Sequence, residues 1–143
     1  ICMDAKNIEL SDEKNLIFLC GIGGELAVKI LQGVLGRHSY HSNLDFVIAV
    51  NNKSHLVRNF LKSKNYKSFN EKVVFDRSIG YEIIYSKFNS GVEFDVIGKS
   101  AFDLNNQKHL NFIRAKRDLY FLKAKYDQSK KEIYEAYESF PDF

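Results

Sequence analysis

The short apolar run Asn15 to Cys20 (NLIFLC) is followed at once by Gly21-Ile22-Gly23-Gly24. No other stretch limits the fold as strongly. A continuous apolar run of this length reads as a fully buried strand of the kind found in parallel sheets. Beyond the glycines, Leu26, Ala27, Ile30, Leu31 and Val34 recur at helical spacing, and Gly36 stands where a C-cap glycine belongs. The unit is strand, glycine turn, helix. Asp45 to Val50 (DFVIAV) repeats it as a second buried strand. Asn51-Asn52 then makes a polar turn, Ser54 is the expected N-cap, and Leu56, Val57, Phe60 and Leu61 mark one helix face. Strands alternating with helices in this way predict parallel pairing through right-handed crossovers.

The pattern then changes. Lys72 to Asp76 and Tyr81 to Tyr85 are both strand-like, and only four residues separate them. That gap is too short for a crossover helix, so the pair is an antiparallel hairpin and the sheet is mixed. Residues 89–103 read as loop. From Phe112 on, Ala115, Leu119, Leu122, Tyr126, Ser129, Ile133, Ala136 and Phe140 fall at alternating spacings of three and four. That is a heptad seam of about four heptads, coiled-coil-like. Its partner is an upstream helix, the body of the domain or a second subunit; otherwise the stretch is one amphipathic helix, or a helix broken near Asp127. The fold class is therefore α/β, with a Rossmann-like domain over 1–90 and a helical region over 91–143. If Asn15–Cys20 is a central strand, its other edge needs covering, because an open apolar edge self-associates. The cover is either a second copy or strands preceding Ile1.

Charge is informative only by position. The 143 residues carry a net +3. Six Lys/Arg lie between Lys53 and Lys72, and eight between Asn105 and Lys131. Such stretches suit a polyanion or are solvated helix faces. There is no run long and apolar enough for a membrane span, and two cysteines make no disulfide framework; a cytoplasmic setting is expected. His38, His41 and His55 have no accompanying Cys or acidic cluster, so no metal is expected.

Glycines after a parallel strand let a ligand approach the backbone at the carboxyl edge, where α/β folds bind ligands; a simple tight turn has the same composition. The spacing is not the dinucleotide fingerprint, since the third glycine position falls on Leu26. No Gly-Lys-Ser/Thr follows, which excludes a P-loop.

The order of motifs resembles a known family. Asp4-Ala5, an apolar strand, Cys20-Gly21-Ile22-Gly23-Gly24, Asn51, Arg58 with Phe60-Leu61, Gly80-Tyr81-Glu82-Ile83 and Ile97-Gly98 follow in sequence. Together they are similar to the bacterial tRNA (adenine-N1)-methyltransferases acting at position 22, class I enzymes dependent on S-adenosyl-L-methionine. Ala5 stands where the family has glycine, Ile22 where it has methionine, and Ala49-Val50 where it has Gln-Pro. The resemblance implies that Asn15–Cys20, Asp45–Val50, Lys72–Asp76 and Tyr81–Tyr85 are the fourth to seventh strands of that fold, so that the first three, with the family's main cofactor motif, precede Ile1. It implies cofactor contacts from Asp4, Ala5, Cys20, Gly21 and Gly23, and a base-positioning role for Asn51 and Tyr81. With tRNA as the polyanion, the two basic stretches give Arg58, Arg114, Lys116 and Arg117 as expected tRNA contacts, and a second subunit on the heptad seam would make a homodimer through the helical region. The alternative is a non-catalytic RNA-binding or dimerising module on a degenerate Rossmann-like core. On the methyltransferase reading, these residues alone do not methylate tRNA.

Overall fold

The computed structural model describes residues 8–141. Four strands form one sheet in the order β1-β2-β4-β3. They are β1 (Asn15–Ile22), β2 (Leu44–Val50), β3 (Tyr66–Asp76) and β4 (Ile79–Phe88). β1 and β2 are parallel, while β4 runs antiparallel to both β2 and β3. The hairpin expected from the short 76–81 gap is present, and its second strand is the one inserted beside β2. Both strands are longer than their apolar cores because cross-strand pairing continues through polar residues.

Helices α1 (Gly24–Arg37) and α2 (Ser54–Ser63) make the crossovers and pack together on one face of the sheet. That face holds the main core: Leu19, Phe46, Ile48, Val50 and Ile84 against Ala27, Leu31, Val34, Val57 and Leu61. Alternate strand residues point the other way, and this second face is largely open. Two local expectations are corrected here. α1 runs through Gly36 and ends at His38 in extended backbone, because the His38 N–H still reaches the Val34 carbonyl at 3.3 Å. Lys53, not Ser54, is the cap of α2, in left-handed backbone (φ 53°).

β1 is also corrected. It is not fully buried: Leu16 is 50% and Phe18 63% exposed. Among the described residues, helices cover only one of its faces and β2 is its only strand neighbour.

The chain then forms a helical hairpin, α3 (Gln107–Ala124) and α4 (Lys131–Glu138). The single four-heptad seam is broken at Asp127, whose carboxylate accepts from the Ser129 N–H at 3.0 Å and starts a new turn. α4 folds back on α3, stacking Tyr137 on Tyr120 with centroids 5.9 Å apart. A second core of Ile97, Ile113, Tyr120, Ile133 and Tyr137 results. The buried stripe of α3 is His109, Ile113 and Tyr120, so the expected seam residues Leu119, Leu122 and Tyr126 face outward. Tyr120 takes the inward position because it can bury its ring and still place its hydroxyl on a partner.

Candidate functional site

Two loops meet at the carboxyl edge of the parallel pair. β1 runs two residues further than expected, to Ile22, through a register shift at Gly21. Gly21 has φ +74°, and open space lies where its Cβ would be; that backbone favours glycine and leaves the strand end bare. Gly24 opens α1 with its N–H on the Asn52 carbonyl at 3.1 Å. A Cβ at Gly24 would collide with the Lys53 carbonyl. The Asn51 N–H donates to the Ile22 carbonyl at 3.0 Å. The β1–α1 loop and the β2–α2 loop are thereby fixed to each other by main-chain contacts that side chains would prevent.

Cys20, Gly21 and Asn51 are exposed, and Gly23 is half-buried against the Asn52 side chain. Tyr81 lies on β4 just beyond the Val50–Glu82 pairing, which brings it beside Asn51 at the same edge. The structure therefore brings Cys20, Gly21, Gly23, Asn51 and Tyr81 together. Asp4 and Ala5 lie outside the described residues. At the mouth of this edge Lys53 and Glu25 form a solvent-exposed pair at 2.7 Å. The hydrogen bond and charge of Lys53 hold the Glu25 carboxyl below its ordinary value.

Behind the edge lies a buried polar junction that sequence reasoning did not foresee. Arg58 is 1% exposed. Its Nη2 lies 2.7 Å from Glu71 Oε2, and its Nη1 lies 2.9 Å from Glu82 Oε2 and 3.0 Å from Ser54 Oγ. Ser54 Oγ donates to Glu82 at 2.7 Å, and Lys116 of α3 reaches Glu82 Oε1 at 3.6 Å. The expectation that Arg58 contacts RNA is therefore corrected: both ends of its guanidinium are committed inside the protein. Burial opposes its charge, but Glu82 and Glu71 outweigh that and raise its pKa. Burial likewise opposes the Glu82 charge, and Arg58 and Lys116 overcome it, lowering the Glu82 pKa. The one available signal was the Tyr81-Glu82 alternation on β4, which puts Glu82 on the face opposite Tyr81, toward α2.

His55 completes the junction. Burial, reinforced by Lys130, lowers its pKa to about 4. The ring is then neutral at pH 7, and its Nδ1 shares a hydrogen bond with the Tyr120 hydroxyl at 3.2 Å. Burial pushes Tyr120 up to about 12, so the phenol keeps its proton. The helical hairpin is thus tied to α2 by a hydrogen bond and to β4 by an ion pair.

Arg114, Lys116 and Arg117 lie together on α3 and are half-buried. His41 Nε2 meets the Leu35 carbonyl at 3.0 Å. Among the described residues no group of three His, Cys, Asp or Glu gathers as a metal site, and no helix is long and apolar enough to cross a membrane.

Comparison with known proteins follows the same geometry. TrmK of M. capricolum, solved with S-adenosyl-homocysteine, superposes with a TM-score of 0.59 at 15% identity, over 87% of this chain and 55% of that one. A putative tRNA (m1A22) methyltransferase of Streptococcus pneumoniae, solved with S-adenosyl-L-methionine, gives 0.62 at 17% identity, over 86% and 58%. The M1A22 tRNA methyltransferase TrmK of B. subtilis gives 0.53 at 14%, over 86% and 58%. The chain spans a little over half the length of these solved relatives, and at such identities the likeness is one of fold. No curated protein sequence matches it. Residues 3–84 match the methyltransferase domain family. That span is more than half of the chain and contains the whole carboxyl edge, and this chain belongs to the methyltransferase domain family.

Proposed function

We propose that the protein carrying this chain transfers a methyl group from S-adenosyl-L-methionine to N1 of an adenine in tRNA. One observation carries the reading: bare backbone at Gly21, Asn51 and Tyr81 converge on the carboxyl edge of a sheet ordered β1-β2-β4-β3, with β4 reversed. Ligands of open α/β sheets bind at that edge. The solved relatives, among them the M1A22 tRNA methyltransferase of B. subtilis and a putative tRNA (m1A22) methyltransferase with S-adenosyl-L-methionine, support the same substrate class.

When bound, the cofactor supplies an electrophilic methyl group. Adenine N1 attacks with its own lone pair, so this chain need supply alignment and not a strong base. The Cys20–Gly21 backbone and Gly23 would line the cleft, and the Gly21 conformation suits the close approach of a flat ligand. Asp4 and Ala5 are proposed for the adenine end of the cofactor. Asn51 and Tyr81 would hold the target base, which must leave its stack to reach them. The division into 1–90 for this chemistry and 91–143 for substrate binding is retained, with Arg114 and Arg117 on the tRNA side; Lys116, also expected there, is turned to Glu82. A tRNA substrate implies a cytoplasmic setting. A homodimer would form through the exposed Leu119, Leu122 and Tyr126, and sedimentation velocity would show it.

Calorimetric titration of the protein carrying this chain with S-adenosyl-L-methionine tests the reading. Saturable binding that weakens on Gly21→Val is expected. An absence of binding heat at every temperature tried would overturn it.

A further inference from the structure

We propose that the groove between the β3–β4 turn and α3 is a subsite for a single-stranded nucleotide flanking the target adenine, its base on Phe112 and Phe75 and its phosphates on Arg77 and Lys108. The proposal rests on the tRNA reading above and adds a location to it.

The groove has a volume of about 420 Å³ and is lined by Phe75, Arg77, Ser78, Lys108, Asn111 and Phe112, with Ala115 at one end. Its floor is aromatic. Phe75 and Phe112 meet edge to face with centroids 6.1 Å apart. Phe112 rests directly on Gly80, where any Cβ would strike its ring. Both rings are only partly buried, so each keeps a surface on which a base can stack.

Among the described residues no carboxylate lines the groove, so the charge they place on its rim is of one sign. Among the described residues, neither Arg77 nor Lys108 makes an ion pair, in contrast to Arg58, Lys116, Lys53 and Lys67. Arg77 stands at the tip of the turn with φ 55°, a left-handed backbone that an arginine rarely adopts. Ser78 and Asn111 add exposed hydrogen-bonding groups. Aromatic surface beside unpaired cations is the chemistry of single-stranded nucleic-acid binding.

Position supplies the link to the site. Gly80, under Phe112, directly precedes Tyr81, and Phe75 pairs with Gly80 across the hairpin. The groove therefore opens at the same edge as the cleft, one residue along β4.

The test uses the protein carrying this chain, a fluorescent single-stranded oligoadenylate and an abasic oligomer of equal length. The double variant Arg77→Glu, Lys108→Glu is expected to lose about tenfold or more in oligoadenylate affinity, with a salt slope shallower by about 1.4 for two phosphates. Phe112→Leu, which keeps packing on Gly80, is expected to lose about fivefold or more for oligoadenylate and little for the abasic oligomer. Lys62→Glu, at the far end of α2, measures general attraction of polyanions and is expected to lose far less. Unchanged affinity in the double variant overturns the proposal, as does an equal loss in Lys62→Glu. Equal wild-type affinity for the abasic oligomer also overturns it, by showing a phosphate clamp without base recognition. Titration of each variant with S-adenosyl-L-methionine separates the two readings. If the wild type ignores the cofactor while the double variant still loses RNA, the methyltransferase reading fails and the groove stands.

Discussion

The junction around Arg58 and the carboxyl edge around Gly21 are both rich in polar groups, and they have opposite characters. At the junction the charged and hydroxyl groups of Ser54, Arg58, Glu71 and Glu82 answer one another inside the protein. At the edge, Cys20, Gly21 and Asn51 face outward and only their main chain is used. A saturated, buried cluster has nothing left for a ligand. A glycine-lined edge held by backbone contacts has its side-chain space free. The first holds the helical hairpin on the sheet, and the second is where chemistry can be placed.

The largest expected effect breaks the junction. Arg58→Ala leaves Glu71 and Glu82 buried without their cation, and should cost about 3–5 kcal/mol in urea unfolding. A cost below about 1 kcal/mol would mean that the junction is wet and that the contrast with the edge is false.

Acid should probe the same region. His55 has a folded pKa of about 4 against an ordinary 6.5. Between those values the unfolded chain binds a proton that the folded chain refuses. Stability present above pH 6.5 should therefore fall by about 2 kcal/mol as pH drops toward 4. His55→Asn keeps an acceptor for Tyr120 and should flatten that window. The Glu82 contribution, with its pKa lowered, is present above the ordinary carboxylate range and should be lost only at lower pH. A stability profile with no slope between pH 6.5 and 4 would remove His55 from the junction.

The edge should tolerate more. Gly21→Ala meets no atom and strains only the backbone, so about 1 kcal/mol is expected in the same unfolding assay. A loss as large as that of Arg58→Ala would make Gly21 part of the core. Smallest of all, charge reversal at Arg114 and Arg117 should change stability by under about 1 kcal/mol. On the proposed function it should still weaken tRNA binding and flatten its salt dependence. Unchanged tRNA affinity would return this surface to an ordinary solvated helix face.

Much of the fold was legible because it is written locally. The runs 15–20 and 45–50 are strands, the four residues before Tyr81 make a hairpin, and the glycines after Cys20 mark a turn. Each follows from side-chain period and spacing alone. The errors share one cause. Arg58 reads as one of six cations in a basic stretch, yet Glu71 and Glu82, which hold it inside, come from two strands further along the chain. The seam through Leu119, Leu122 and Tyr126 has coiled-coil spacing, yet α3 turns Ile113 and Tyr120 inward. The break near Asp127 was among the readings the sequence left open; Asp127 makes it by capping the next turn.

The sequence by itself determined the kinds of element and the glycine turn, since these depend on neighbours within a few residues. Tertiary structure decided which of two apolar stripes on α3 is buried, which cations remain available, and that β4 lies between β2 and β3. Those outcomes depend on partners far apart in the chain. A charge is free or committed, and an apolar face covered or bare, only according to what the folded chain sets against it.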